Sequence, residues 1–168
     1  MNCCDKIDFQ TIERKENETT NSYHHRAYII FKKSLMDSNI KLNNMPVKVR
    51  ELPFEDNKVQ GFFHVISELD KNLGIRMYKE ERVKYIPYIS KMITEYNKCS
   101  TCFNNCSKIK VWTAPYKGKI DRIKFYFEED DYIVILEKRP KYYQLISAYI
   151  VDRKDRKIDI LKEYNKYK

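Results

Sequence analysis

The chain has 168 residues, of which 42% are hydrophobic, and this is enough for the core of a single modest domain. Its 33 lysines and arginines outnumber its 24 acids, and the net charge of +9 favours an anionic partner such as nucleic acid. The sequence contains no run of about 18 apolar residues and no signal-peptide core, so it predicts no membrane span and a cytoplasmic protein. Five cysteines, an odd number, argue against a disulfide framework and agree with a reducing compartment.

The first residues are polar and carry no sustained hydrophobic period. We therefore expect a flexible N-terminal arm over residues 1–22 and one folded domain over residues 23–168. The folded part begins with apolar residues at helical spacing, which predict a first helix over residues 23–36.

Short elements follow in the next part of the chain. Alternating residues predict a strand over 46–52, the run containing Gly-Phe-Phe-His predicts another over 59–66, and residues 69–75 are expected to form a loop. A second helix is predicted over 80–96. Pro87 lacks a backbone donor and clashes with the preceding turn, so this helix either bends there or begins near residue 86.

Residues 108–150 are predicted to form four consecutive strands joined by short turns. These strands span 109–113, 122–127, 132–136 and 142–150. In the second of them, Ile123, Phe125 and Phe127 share one face, which is the period of a half-buried strand. A short, charged helix is predicted over 153–168. Helices followed by a mostly antiparallel sheet of four or slightly more strands, with a short C-terminal helix, indicate an α+β domain.

One face of this sheet is a candidate surface for nucleic acid. Tyrosines that alternate with cations can stack unpaired bases and bind the backbone between them, as single-stranded nucleic acid requires. The last strand is predicted to place Tyr143, Ser147 and Tyr149 on this face. An ordinary strand surface is the alternative, since 14 tyrosines make chance placement easy. The candidate substrate-binding residues are Arg122, Lys124, Arg139, Tyr143, Tyr149 and Trp112.

His64 is a candidate general base. It lies in GFFHVIS, between aromatic and aliphatic neighbours. An imidazole near its neutral pKa can accept a proton from an attacking hydroxyl at cellular pH. A core histidine bonded to the backbone explains the same pattern equally well, and the sequence leaves both interpretations open.

Arg76 and Arg82 are candidate phosphate ligands. The planar guanidinium group matches two phosphate oxygens, and its charge persists at every relevant pH. The neighbouring Lys79 and Lys84 fit a solvated helix face better than a binding site.

Three cysteines lie between the second helix and the sheet, at Cys99, Cys102 and Cys106. A CxxC pair has the spacing of a zinc knuckle, because two thiolates from one tight turn can share a tetrahedral ion. A structural zinc ion and simple buried thiols are both compatible with this pattern. The sequence fixes no fourth ligand, for which the candidates are Cys3, Cys4, His24 and His25.

The order of four segments resembles the phage-type nucleases of the barnase, EndoU, colicin and RelE-like (BECR) superfamily, over about residues 26–166. The segments are GFFHVIS, IRMYKEERVKYIPYI, IKVWTAPYKGKIDRIKFYF and DDYIVILEKRPKYYQLISAYIVD. The resemblance implies a metal-independent ribonuclease with an N-terminal helical part packed on a four-stranded antiparallel sheet. It matches the family's strand histidine to His64, the helix arginine to Arg82 and the last-strand hydroxyl to Ser147, where threonine is as common.

The resemblance also implies a mechanism, in which RNA is cleaved by its own 2′-hydroxyl and no cofactor is required. In that mechanism His64 is the base, Arg82 with Arg76 holds the phosphate, and Ser147 and Tyr149 position the substrate. The general acid is not identified. The expected partners are RNA, tRNA among them, and a cognate antitoxin or host protein. The alternative is a phage or mobile-element protein of the same fold that only binds nucleic acid or another protein.

Overall fold

The computed structural model describes residues 7–98 and 108–168. The helices are α1 (Thr20–Phe31, continued by a π-helical turn at Lys32–Met36), α2 (Gln60–Ile66), α3 (Glu80–Lys84), α4 (Ile86–Lys98) and α5 (Lys154–Tyr167). The strands are β1 (Lys41–Leu42), β2 (Met45–Lys48), β3 (Ser67–Asp70), β4 (Ile75–Tyr78), β5 (Ile109–Tyr116), β6 (Ile120–Phe127), β7 (Tyr132–Lys138) and β8 (Tyr143–Ile150). The predicted α+β class is confirmed.

Within the described chain, the strands form one six-stranded sheet of order β1-β2-β8-β7-β6-β5 and one hairpin, β3-β4. The four predicted C-terminal strands are confirmed as the antiparallel meander β5 to β8. The short β2 extends the sheet in parallel beside β8, where Val47 lies opposite Tyr143 and Lys48 opposite Gln144. The sheet is therefore mostly, but not wholly, antiparallel.

The sheet has an apolar core on each face. Alternation along β6 places Ile123, Phe125 and Phe127 on the face covered by the N-terminal helices, as predicted. The opposite face carries Trp112 and Ile133, and α5 covers it with Ile160. The C-terminal helix is thus packed on the domain and covers a face of the sheet that was predicted to bind nucleic acid.

A β-bulge in β8 changes which side chains share a face. Ser147 lies opposite Ile135 of β7, whereas Leu145 lies opposite the next residue of β7, so Ile146 is the extra residue. The bulge turns Tyr143 into the core beneath the N-terminal helices, while Tyr149 packs on the α5 side. The predicted common face of Tyr143, Ser147 and Tyr149 is therefore wrong, because strict alternation was assumed through a bulge.

The predicted strand over residues 59–66 is also wrong, since residues Gln60–Ile66 form helix α2. Its residues Phe62, Phe63, Val65 and Ile66 are all buried. A short apolar run buried on several sides has no periodicity that distinguishes a strand from a helix, and this explains the error. The loop expected over 69–75 is partly confirmed, because residues 71–74 form the turn of the β3-β4 hairpin with Gly74 at a φ of +66°, whereas Leu69, Asp70 and Ile75 belong to its strands.

Pro87 has the effect that the sequence predicts. A new helix, α4, begins at Ile86, one residue before the proline, and the preceding residues form the separate short helix α3. Proline is tolerated in the first turn of a helix because the backbone donor that it lacks would have no intrahelical partner there.

Residues 7–19, which belong to the predicted flexible arm, pack against the domain. Ile12 is buried, and its N–H donates to Lys84 O at 2.9 Å while its carbonyl accepts from Tyr23 Oη at 2.6 Å. Glu18 receives two hydrogen bonds of 2.8 Å from Arg26. No helix in the described chain is long and apolar enough to cross a bilayer.

Candidate nucleic-acid site

An open cleft of about 390 Å³ lies between helix α2 and one end of the six-stranded sheet. We call it the arginine cleft, after its charged and titratable lining residues Arg50, His64, Arg122, Glu137 and Arg139. Strand register explains part of this set, since Arg122 of β6 lies opposite Glu137 of β7, which lies opposite Gln144 of β8. The sheet supplies one wall, and α2 supplies the other with His64.

Glu137 holds two of the arginines in place. Its side chain is 5% exposed. Oε2 accepts from Arg122 Nε at 3.0 Å, and Oε1 lies 2.5 Å from Arg139 Nη2. The Arg122 guanidinium also stacks on the Tyr116 ring, 3.4 Å from the centroid. Two cations are therefore fixed before any ligand arrives, and this lowers the entropic cost of binding an anion.

Other polar groups of the cleft have no partner within the part of the chain that the structure describes. The Arg50 guanidinium, the His64 imidazole and the amides of Gln60 and Gln144 make no side-chain hydrogen bond or ion pair there. The Nε of Arg139 is buried and also lacks an acceptor. Polar groups that converge on one concavity without protein partners are available to a ligand.

His64 is half-buried, and its environment favours the neutral imidazole. Burial is the main cause that lowers its pKa, and the positive charges of Arg76, Arg50 and Arg82 lower it further. A neutral imidazole has a free lone pair, so it can accept a proton at cellular pH.

This environment predicts a specific titration behaviour. We expect NMR titration to give His64 a pKa below the ordinary histidine value, so the proton-accepting form is retained as the pH falls until that lowered pKa is reached. Inorganic phosphate should raise the pKa, because an anion among the arginines offsets their charge. Arg50→Ala should raise it in the absence of phosphate. If neither phosphate nor Arg50→Ala changed the pKa of His64, the charges in the cleft would not act on the imidazole.

Gly61 allows α2 to approach Arg50 closely. Its N–H donates to Arg50 O at 2.7 Å, and a Cβ at this position would lie 3.1 Å from the same oxygen and 3.3 Å from Val49 Cβ. The contacted atoms are mostly backbone, which cannot move aside cheaply. Glycine therefore sets the distance between the helix wall and Arg50.

Gly61→Ala tests this close approach. Alanine normally stabilises a helix interior by about 0.5–1 kcal/mol relative to glycine. Here we expect the opposite sign, a loss of about 1 kcal/mol, because the added methyl group separates α2 from Arg50. Denaturant unfolding measures the change, and phosphate affinity should fall with it. A stabilised variant with unchanged affinity would contradict the role given to Gly61.

The structure places Arg76 and Arg82 at the C-terminal end of α2. Arg76 donates to His64 O at 3.1 Å and to Ser67 O at 2.9 Å, and Arg82 donates to Ser67 O at 2.8 Å. Cations at a helix C-terminus satisfy its free carbonyls and are favoured by the helix dipole. Both guanidinium groups are therefore engaged by the backbone, and neither lines the arginine cleft.

Arg82 and Tyr149 line a second cleft of about 520 Å³. The Arg82 guanidinium lies over the Tyr149 ring, 5.1 Å from its centroid. Acids such as Glu68, Glu81 and Asp155 share this lining with the cations, so its charge is mixed. Ser147 lies on β8 between the residues that line the two clefts, and it lines neither of them.

Trp112, Lys124 and Tyr143 are not brought to the arginine cleft. Helix α5 covers the first two, and Glu163 Oε1 accepts from Trp112 Nε1 at 2.7 Å and from Lys124 Nζ at 2.5 Å. Tyr143 is buried on the other face of the sheet. Of the predicted site residues, the structure therefore brings His64, Arg122 and Arg139 together.

The cysteines proposed for zinc, Cys99, Cys102 and Cys106, lie outside the described residues, as do Cys3 and Cys4. Among residues 7–98 and 108–168, no group of three or more histidine, cysteine or acidic side chains is placed to hold a metal ion.

The fold and this site define an α+β protein with a cationic cleft that contains one histidine. Comparisons with protein-family models, with curated proteins and with solved structures find no match. The function is therefore inferred from the geometry of the cleft.

Proposed function

We propose that the chain is a metal-independent endoribonuclease and that the arginine cleft is its active site. One observation carries this proposal: an imidazole that has no hydrogen-bond partner among residues 7–98 and 108–168, and whose neutral form is favoured, shares a cleft with Arg50, Arg122 and Arg139. Cleavage of RNA by its own 2′-hydroxyl requires a base for that proton and cations for the phosphate. The cleft supplies both.

The chemistry follows from these groups. His64 accepts the 2′-hydroxyl proton as the 2′-oxygen forms a bond to phosphorus, and the bond from phosphorus to the 5′-oxygen breaks. The products are a 2′,3′-cyclic phosphate and a 5′-hydroxyl end, for which solvent supplies the proton. The guanidinium groups of Arg122 and Arg139 stabilise the negative charge on the phosphate oxygens. Glu137 is a positioning residue that fixes both arginines.

This proposal changes the phosphate ligands that the resemblance implies. Arg76 and Arg82 stabilise the end of α2 through the Ser67 carbonyl, and Arg76 also donates to the His64 carbonyl. Arg50, Arg122 and Arg139 take their place at the phosphate, since they line the cleft that contains the imidazole. Ser147 lies one residue beyond the cleft lining on β8 and suits contact with a flanking nucleotide.

Single-stranded RNA is the substrate class that we propose, including the loops of folded RNAs such as tRNA. In-line attack requires a flexible backbone, and a splayed nucleotide can place its base beside the exposed Tyr116 and the free amides of Gln60 and Gln144. In a base-paired strand the Watson–Crick edges are already bonded and the base faces are stacked, so neither is open to these groups.

A second candidate function is binding of RNA or of an acidic protein segment without catalysis. The observation that favours it is that His64 is the one imidazole or carboxylate group of the described cleft that is free to transfer a proton. Both oxygens of Glu137 are engaged by arginines, so Glu137 is not available as the general acid. An antitoxin or host protein with an acidic segment fits the same cations.

Incubation with single-stranded RNA in EDTA tests the proposal. We expect fragments with 2′,3′-cyclic phosphate and 5′-hydroxyl ends. Tight binding with no cleavage across pH 5 to 9 would support the second candidate, and the absence of both would rule out a nucleic-acid function for this cleft.

A further inference from the structure

The β3-β4 hairpin carries a concentration of exposed apolar side chains. Half of the large hydrophobic side chains that are exposed in the described chain fall within residues 69–78. Strand β4 is exposed at all of its positions. These side chains, with their exposed fractions, are Leu69 (49%), Leu73 (64%), Ile75 (53%), Met77 (45%) and Tyr78 (48%). Exposed apolar clusters of this kind are more common at interaction sites than on the rest of a protein surface.

The two faces of the hairpin differ. Tyr78 packs towards the domain, with its ring centroid 5.0 Å from that of His24, and Arg76 donates to Ser67 Oγ at 2.8 Å. Alternation then places Ile75 and Met77 on the face that points away from the domain. The acidic residues opposite them on β3, Asp70 and Glu68, share this outer face.

The backbone edge of β4 is also open. Lys79 N donates to Ile66 O, so by the antiparallel alternation Arg76 and Tyr78 direct their backbone N–H and C=O groups away from β3. No backbone group of the described chain pairs with them. On the β3 side, the Ser67 carbonyl is instead occupied by two guanidinium groups. A two-stranded ribbon is marginally stable by itself, and proteins usually cover or block such edges.

We propose that β4 pairs with β4 of a second copy of this chain, in an antiparallel and two-fold symmetric manner. The outward groups of Arg76 then pair with those of Tyr78 in the other copy, and the symmetric pair completes about four backbone hydrogen bonds. Met77 lies opposite Met77 of the second copy on the outer face, at the short Cα separation of about 4.5 Å that favours side-chain contact. The result is a continuous four-stranded sheet of order β3-β4-β4-β3.

The positions of the charged residues favour this register, and they favour a second copy of the chain as the partner of β4. A shift by one pairing step towards the turn would place Arg76 opposite Arg76 of the second copy, and this like-charge pair is unfavourable. In the proposed register, Lys79 of one copy lies beside Ile75 of the other, one strand away from Asp70. The Asp70 Oδ1 atom is used by the turn, where Asn72 and Leu73 N–H groups donate to it, and Oδ2 can face the incoming ammonium. The hairpin thus supplies both members of an ion pair between the copies, Lys79 from one copy and Asp70 from the other.

Sedimentation velocity between about 5 and 500 μM tests the proposal, because a contact of this size lies at the weak end of specific interfaces. We expect a concentration-dependent shift from monomer to dimer. Met77→Glu should raise the dimer Kd at least about tenfold, since it places two carboxylates opposite each other. Met77→Leu should retain dimerisation, and circular dichroism establishes that each variant is folded.

Leu73→Glu is the matched control, because Leu73 is the most exposed apolar residue of the hairpin but lies in its turn, outside the paired strand. It should leave the Kd unchanged. Monomer at every concentration, or an equal effect of Met77→Glu and Leu73→Glu, would overturn the proposal. RNA cleavage is measured separately, so neither outcome depends on the function proposed for the arginine cleft.

Discussion

His64→Ala is expected to lower the rate of RNA cleavage by about 10²–10⁴-fold, which is the usual contribution of a positioned proton acceptor. RNA affinity should change little, because the cations that hold the phosphate remain. Stability should also change little, since the imidazole makes no hydrogen bond within the described chain and is only half-buried. Single-turnover cleavage of a labelled single-stranded RNA in EDTA, together with a binding titration, separates these effects.

His25→Ala is the matched control, because His25 is exposed on α1 and does not line the arginine cleft. It should cleave at the wild-type rate. The pH dependence supplies a second check. The wild-type rate should fall as the pH drops through the lowered pKa of His64, and the residual rate of His64→Ala should lack this step. Full activity of His64→Ala would assign the proton transfer to another group.

The sheet could be predicted from sequence because its strands are local patterns. Alternation at Ile123, Phe125 and Phe127 and short turns between apolar runs define a meander without knowledge of distant contacts. The β8 bulge could not be predicted in this way. It inserts Ile146 into an otherwise regular pattern, and only the pairing with β7 shows where the face changes.

The site was predicted in part. His64, Arg122 and Arg139 were identified from residue chemistry, and they line one cleft. The sequence did not predict that α5 covers Trp112 and Lys124. Glu163 of α5 accepts hydrogen bonds from both side chains but is distant from them in sequence. No local pattern indicates which strand cations a remote helix will neutralise.

Arg50 and Glu137 were missed for different reasons. Arg50 reaches the cleft only because Gly61 lets α2 pack on its backbone, which is a tertiary contact. Glu137 did carry a signal. It ends the apolar run YIVIL in a strand that is buried on both faces, and it is followed closely by Arg139. A carboxylate in such a position is almost always paired, so the run itself predicts a buried ion pair.

Glu137→Ala is expected to have the largest effect on stability. Removing one member of a buried ion pair leaves the remaining charge without a partner and costs about 3–5 kcal/mol. We expect the lower end of this range, about 3 kcal/mol, because the Arg122 and Arg139 side chains keep 18% and 37% of their exposure and retain some water. For a chain of this size the loss corresponds to a fall in Tm of roughly 6–12 °C, which calorimetry can measure.

Asp155→Ala is the control for this change, because its partner Arg153 is 74% exposed and a surface ion pair contributes only about 0–1 kcal/mol. The double variant Glu137→Met with Arg122→Met separates stability from function. Replacing Glu137 and Arg122 by apolar side chains of similar length leaves only Arg139, which is 37% exposed, without its partner, so part of the lost stability should return. Phosphate affinity of this variant should be lower than that of the wild type, because one of the guanidinium groups that line the cleft is absent. Recovery of both stability and phosphate affinity would show that the Glu137 pairs only support packing and that the arginine cleft binds its anion without Arg122.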